Sequence, residues 1–404
     1  MQYINIKSEI GKLNRVMLHC PSIELEALTP ATLRELLFDD IPFLKMAIKE
    51  HGHFANVLKE NGVEVHYLEG YLFDIFADKK IRDEFALDYI NRHTTCEVAK
   101  DYLLKYLSSI SLEEFIISIF AGIRKNQIKG YTPRTLSELM KEHDSPFWTY
   151  PLPNLYFTRD PTACIGDGLT IHRMRKKARQ LETLFMSYIH RYHPAFHGVP
   201  LLYNRNIQHP IEGGDIVVLS DKVVAVGCGE RSSPEGIELL AKNILTHSKN
   251  IKKILAFKIP KNRAYMHLDT VFTMVDYDKF TIFASEIMTI SVYQLTMDDH
   301  GTIQIDYKSD LLDKILAAEL DIPKVTLVKC GGGEDIISQR EQWNDGSNTL
   351  AIAPGVVIVY DRNYVTNKLL HNYGIKTIEI HGSELSRGRG GPRCMSMPLH
   401  RDDL

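Results

Sequence analysis

The chain has 404 residues, of which 25% are charged and 44% hydrophobic, with 48 Lys+Arg against 51 Asp+Glu. A formal net charge of −3 creates no field that would recruit nucleic acid or an anionic membrane surface. The length allows two or three domains, or one large repeated domain with an insertion.

The opening segment, MQYINIKSEIGKL, lacks the basic-then-apolar pattern of a secretory signal. Cysteines at 20, 96, 164, 228, 330 and 394 include no Cys-x-x-Cys pair. Free thiols in a cytoplasmic protein are the expectation. Arg15–His19 and Val63–Leu68 read as strands on either side of a helical stretch. From 71 to 150 the only Gly and Pro are Gly122, Gly130, Pro133 and Pro146. Three capping-box patterns fall there: Thr94 with Glu97, Ser111 with Glu114, and Thr135 with Glu138. Phe115, Ile116, Ile119, Phe120 and Ile123 then recur on one helical face. That apolar run, Phe115 to Ile123, is far short of the roughly 20 residues needed to span a bilayer. The pattern predicts a helical domain over 75–147, inserted into a body made of 1–74 and 148–404.

Beyond it the texture is of short β-rich runs with tight turns. Thr162–Ile165 with Leu169–Ile171, Ile216–Leu219 with Val223–Val226, Val271–Val275 with Phe280–Phe283, and Leu350–Ala353 with Val356–Tyr360 all read as hairpins. Helix-like sequence follows several of them, at Arg175–Tyr192 and Pro234–Ser248. About five similar β-α units, interrupted once by helices, predict a radial or stacked α/β assembly.

Nucleotide motifs are absent. Gly388-Arg-Gly390-Gly391 lacks the dinucleotide spacing, and Cys330-Gly-Gly-Gly-Glu-Asp335 lacks the Lys-Ser/Thr of a phosphate loop. His190, His193 and His197 share a helical spacing, but Pro194 breaks the helix and no Cys or carboxylate completes a metal set.

Four polar clusters beside β-like runs carry more information. Asn154-Leu-Tyr-Phe-Thr-Arg-Asp160-Pro161 and Glu212-Gly-Gly-Asp215 each read, alone, as turns. In His267-Leu-Asp269, an extended backbone would place both side chains on one face, fit to manage protons and bind a cation. Arg387-Gly-Arg389-Gly-Gly-Pro-Arg393-Cys394 sets a thiol among cationic groups in a Gly-rich loop. One Cys, one His and three acids suit a substrate that is itself a delocalised cation, such as a guanidinium.

In that order, Phe157-Thr-Arg-Asp160, Glu212-Gly-Gly-Asp215, His267-Leu-Asp269 and Arg389-Gly-Gly-Pro-Arg-Cys394-Met-Ser resemble the motifs of the arginine deiminase family. Leu36-Leu-Phe-Asp-Asp40 and Gly229-Glu-Arg231-Ser-Ser extend the likeness over essentially the full chain. The resemblance implies a five-bladed, pseudo-symmetric α/β propeller with an inserted helical domain. It also implies hydrolysis of L-arginine to L-citrulline and ammonia through an S-amidino-cysteine intermediate. By the same resemblance Cys394 is the nucleophile, His267 the general acid/base and Glu212 its partner. Asp160 and Asp269 would grip the guanidinium, while Arg179, Arg231, Arg389 and Asn154 would bind the amino-acid end. No metal or organic cofactor is implied. The expected partner is the small-molecule substrate, with no nucleic acid or membrane, and a homo-oligomer is the expected assembly. An amidinotransferase or another guanidine hydrolase on the same scaffold is the nearest alternative, and a non-catalytic arginine-binding protein the more distant one. Three acids around the sulfur predict a neutral resting thiol that ionises only when the substrate cation arrives.

Overall fold

The computed structural model describes residues 2–94, 97–131, 136, 139–140, 146–283 and 290–404. Thr135 and Glu138 lie outside that set, and the Thr94/Glu97 pattern spans residues 95 and 96, which also lie outside it.

Strands follow the apolar runs. β1 (Leu13–Leu18) lies parallel to β2 (Glu64–Tyr67), joined through the helix Leu44–Glu60. β3 (Thr162–Ile165) and β4 (Gly168–Ile171) form a hairpin, and β5 (Leu201–Tyr203) adds parallel to β4. β6 (Ile216–Val218), β7 (Val223–Cys228) and β8 (Lys253–Lys258) repeat that arrangement, as do β9 (Phe272–Asp276) and β10 (Lys279–Ile282). β11 (Ser291–Met297) and β12 (Ile303–Lys308) return to widen the β6–β8 sheet, and β13 (Thr326–Lys329) completes the β9–β10 one. β14 (Leu350–Ala353), β15 (Val356–Tyr360) and β16 (Lys376–Ile380) build the next unit. β17 (Met397–Arg401) then returns antiparallel to β1, so the two ends of the chain share a sheet.

Among the described residues there are thus five sheets with one shared plan: an edge strand antiparallel to its neighbour, and a third strand parallel to that neighbour. The parallel step needs a crossover, which explains helices at Pro234–His247 and Tyr364–Asn372 between the strands they connect. β7 is buried along nearly its whole length because a helix covers it, so it reads as a continuous Val/Ala run without alternation.

The helical stretch comprises Leu68–Phe76, Lys79–Asn91, Glu97–Ser109 and Leu112–Ala121. At the last, Ser111 Oγ accepts from Glu114 N (3.2 Å) and Glu114 Oε2 accepts from Ser111 N (3.0 Å), the reciprocal cap the sequence predicts. Its apolar face packs Phe115 against Phe76 and Phe120 against Phe185, edge to face, which bonds the stretch to the body. The helix expected from Arg175 begins only at Glu182. A 3-10 turn, Lys177–Arg179, precedes it and turns Arg179 inward. No helix among the described residues is long and apolar enough to cross a membrane.

Candidate active site

In each of the five sheets, a tight loop feeds the edge strand that lies antiparallel to its neighbour, and these five loops meet. Asp160 precedes β3, Glu212–Asp215 precede β6, His267–Thr270 precede β9, Asp345–Asn348 precede β14, and Arg393–Ser396 precede β17. Each loop is hydrogen-bonded to the next. Gly213 N donates to Asp160 O (3.0 Å), Leu268 N to Asp215 Oδ1 (2.8 Å), Asn348 Nδ2 to Asp269 O (3.2 Å), Cys394 N to Asn348 Oδ1 (3.1 Å), and Arg159 N to Cys394 O (3.2 Å). The circuit closes on the loop where it began.

The five side chains expected to do chemistry are all buried inside this circuit. His267 Nε2 lies 2.7 Å from Glu212 Oε2, and its Nδ1 lies 3.7 Å from Asp160 Oδ1. Cys394 Sγ is 3.6 Å from Asp269 Oδ2. Close approach depends on missing side chains: a Cβ on Gly214 would come within 2.7 Å of the His267 ring. His267 and Asp269 meet the site differently from the alternation expected. Leu268–Thr270 form a 3-10 turn, and only His267 itself is extended, yet both side chains point inward.

Charge decides the protonation states. Burial opposes a charged His267, but Asp160, the Glu212 hydrogen bond and Asp215 outweigh it and raise its pKa to about 9. Burial also works against ionised Glu212, yet Arg231 and His267 hold it well below the usual carboxylate range. Burial, then Asp269, Asp160 and Asp345, push the Cys394 thiol well up, against a weaker pull from Arg393. At neutral pH these directions favour an imidazolium–carboxylate pair and a protonated sulfur, with burial the largest cause for the thiol and Asp345 acting where the sequence predicts Glu212.

Arg393 does not face the sulfur. Fully buried, it spans Glu9 Oε1 (2.8 Å), Asp269 Oδ2 (2.8 Å) and Ile216 O (2.7 Å), and so locks Asp269 in place. Each of the two acids expected to grip a guanidinium keeps one oxygen without a hydrogen-bond partner, Asp160 Oδ1 and Asp269 Oδ1. Buried polar atoms are seldom left so.

The four residues expected at the amino-acid end divide. Arg231 Nη1 donates to Glu212 Oε2 (3.0 Å), while its Nε is unsatisfied. The Arg389 guanidinium carbon stacks 3.4 Å from the Trp343 ring centroid, its Nε and Nη1 are unsatisfied, and its backbone is left-handed, φ +64°. Arg179 is fully engaged, with Nη1 to Asp160 Oδ2 (2.5 Å) and Nε and Nη2 to Glu182. Asn154 Nδ2 donates to Leu36 O (2.8 Å).

Residues that sequence reasoning passed over complete the site. Asn348 touches Cys394 at two points. Asp345, buried with Oδ2 unsatisfied, is raised to about 7 by burial, with Arg389 opposing and Asp269 reinforcing. Glu182, Glu9 and Trp343 hold the arginines. Asn344-Asp-Gly-Ser-Asn348 carries the same signal as the other clusters, a polar group feeding a β-run at Leu350. Among the described residues no group of three or more His, Cys, Asp or Glu is placed to hold a metal ion. His193, in the spaced histidine set, pairs instead with Asp74 (3.2 Å).

Comparisons with known proteins place the chain in a family. The model of the family "Arginine deiminase" matches residues 34–401. Arginine deiminases of Bacillus thuringiensis subsp. konkukian and Latilactobacillus sakei are 52% and 48% identical, each over 99% of this chain and 99% and 98% of their own. That of Borrelia duttonii is 47% identical over 100% of both. Solved structures share the fold at lower identity. An amidinotransferase of Microseira wollei has a TM-score of 0.56 at 15% identity, covering 99% and 98% of the two chains. DDAH from Pseudomonas aeruginosa has 0.53 at 13%, covering 96% and 99%. The AgrE chain solved with ornithine and NAD+ has 0.54 at 14%, covering 96% of this chain but 39% of its own. With a match from residue 34 to 401 and relatives near 50% identity end to end, the chain belongs to the arginine deiminase family, hydrolases of the guanidino C–N bond of arginine.

Proposed function

We propose that Cys394, His267, Glu212, Asp160 and Asp269 carry out this reaction, converting L-arginine and water to L-citrulline and ammonia. The guanidinium lies against Asp160 Oδ1 and Asp269 Oδ1. Its positive charge offsets the acids that hold the thiol protonated, so Cys394 loses its proton to water as the substrate settles. The thiolate attacks the guanidinium carbon and an S–C bond forms. His267, already protonated, passes its proton to the departing nitrogen. The C–N bond breaks, ammonia leaves, and an S-amidino cysteine remains. The now neutral His267, steadied by Glu212, takes a proton from the attacking water. The C–S bond breaks with its electron pair on sulfur, the remaining hydroxyl proton passes to that sulfur to restore the thiol, and citrulline departs. Asp160 and Asp269 fix the planar cation with its carbon facing Sγ.

At the other end, Arg389 and Arg231 offer unsatisfied donors to the substrate carboxylate, and Asn154, whose Nδ2 is held by Leu36 O, adds a further polar contact. Arg179 joins them only by leaving Asp160 Oδ2. The five like-built sheets and the closed circuit of loops support a pseudo-fivefold propeller as the architecture of 1–74 and 148–404. The helices of 75–147 are then the insertion, although the helical run already begins at Leu68. Free thiols at Cys20, Cys164, Cys228, Cys330 and Cys394 support a cytoplasmic setting.

The observation that carries the reaction is the pair of unsatisfied carboxylate oxygens facing a buried thiol beside an imidazolium. Purified protein given arginine alone should release citrulline and ammonia one for one. Agmatine, which lacks the carboxylate, should be a far poorer substrate. Transfer of the amidino group to an added amine in preference to water would favour the amidinotransferase reading instead.

A further inference from the structure

We infer that Asn348 is a catalytic residue, the hydrogen-bond donor that stabilises the Cys394 thiolate. Asn348 is fully buried. Its Oδ1 accepts from Cys394 N (3.1 Å), and a backbone N–H can only donate, which fixes the orientation of the amide. Nδ2 therefore faces the sulfur, at 3.1 Å from Sγ, and its second hydrogen goes to Asp269 O (3.2 Å). Every hydrogen-bonding position of the amide except one acceptor lone pair is used. No other hydrogen bond to Sγ from a donor occurs among the described residues.

The surroundings make that donor matter. Asp269 Oδ2, Asp160 and Asp345 all disfavour negative charge on sulfur. The thiol donates to Asp269 and accepts from Asn348. When a guanidinium settles on Asp269 Oδ1 it offsets the charge that opposes the thiolate, while the Asn348 donor stays where the sulfur charge develops. A neutral amide supplies this without introducing a cation that would repel the substrate. Gly391 preserves the approach: a Cβ there would meet Asn348 O, Oδ1 and Cβ at 2.7–2.9 Å. Asn348 is also the contribution of the β14 sheet to the circuit of loops, so all five sheets, rather than four, place a group at the reacting centre.

This role rests on the deiminase reading, but the measurement that decides it, alkylation of the thiol, does not use arginine. The rate of alkylation of Cys394 by iodoacetamide is compared at pH 8 in the wild type and Asn348→Ala, with adducts located by peptide mass spectrometry. Removing the donor lowers the thiolate fraction and should slow alkylation about tenfold. A merely structural role predicts the reverse, because a trimmed side chain opens the sulfur to reagent. kcat on arginine should fall about 10- to 100-fold with KM little changed. Asn348→Asp keeps an acceptor for Cys394 N and, once ionised, replaces the donor with a repelling charge, so its alkylation should be slow even if Asn348→Ala fails to fold. Alkylation of either variant at or above the wild-type rate would overturn the assignment. A wild type that makes no citrulline would sink the deiminase reading and leave the alkylation comparison standing.

Discussion

The two ends of the site are satisfied in opposite ways. Around the sulfur three carboxylate oxygens are buried without hydrogen-bond partners, Asp160 Oδ1, Asp269 Oδ1 and Asp345 Oδ2, alongside one donor, Arg159 Nη2. Around the arginines the atoms left without partners are donors: Arg231 Nε and Arg389 Nε and Nη1. An unsatisfied buried polar atom costs about 1–3 kcal/mol, so the fold holds open acceptors at one end and open donors at the other. Their signs match a ligand that is a cation at one end and a carboxylate at the other. The same comparison separates positioning from chemistry, because only the acid-lined end contains the thiol and the imidazolium.

The sharpest break targets the acid-lined end. Cys394→Ser should lower turnover by about 10⁴-fold or more, with the thermal unfolding midpoint nearly unchanged, as measured by citrulline formation and calorimetry. Cys164 and Cys330 are also buried thiols, both pushed up to about 12 chiefly by burial. Their serine variants should keep activity, which separates a site thiol from core thiols.

His267→Ala should cost about 10²- to 10⁴-fold in kcat, since in the proposed reaction one group serves both halves. Glu212→Gln sharpens the cause. Removing the carboxylate lowers the His267 pKa from about 9, so the alkaline limb of the rate profile should move to lower pH. The linkage has a definite sign. With a folded pKa of about 9 against an ordinary 6.5, the stabilisation from charged His267 is complete below about pH 6.5 and lost as pH rises through 9. Wild-type unfolding free energy should fall over that window, and Glu212→Gln should flatten the fall.

The smallest effect belongs to the donor-lined end. Arg389→Ala should raise KM for arginine roughly 10- to 100-fold, the loss of a charge-assisted hydrogen bond, with less effect on agmatine. Arg389 is a cleaner probe than Arg231, which also bonds the Glu212 oxygen that His267 uses. An Arg389→Ala enzyme that treats arginine as the wild type does would remove the carboxylate from the account of that end.

Much of this was readable in the sequence, where residue type alone carries the chemistry. Cys394, His267, Glu212, Asp160 and Asp269 stand in four charged clusters feeding β-runs, and the structure gathers all five. Asn348 stayed hidden because Asn, Asp, Gly and Ser are also the ordinary residues of turns, so its loop looks like punctuation. Partner choice was hidden too. Arg393 reads as a neighbour of Cys394, yet its charge goes to Glu9, 384 positions away, and to Asp269. Arg179 is expected at the amino-acid end of the substrate, but Glu182 on the next turn and Asp160 hold it. The His267–Asp269 face was inferred from strand alternation, whereas a 3-10 turn produces it. Such pairings follow from how the five sheets close on one another, which local pattern does not encode.

The central claim is that Cys394 becomes covalently attached to the substrate carbon, and rapid acid quenching followed by peptide mass spectrometry tests it most directly. Mixed with arginine and stopped within a turnover, the wild-type enzyme should carry one amidino group on the peptide containing Cys394, and none after the arginine is consumed. An amidino group on Cys164 or Cys330 instead, or full turnover with every cysteine peptide unmodified at all times, would contradict the account.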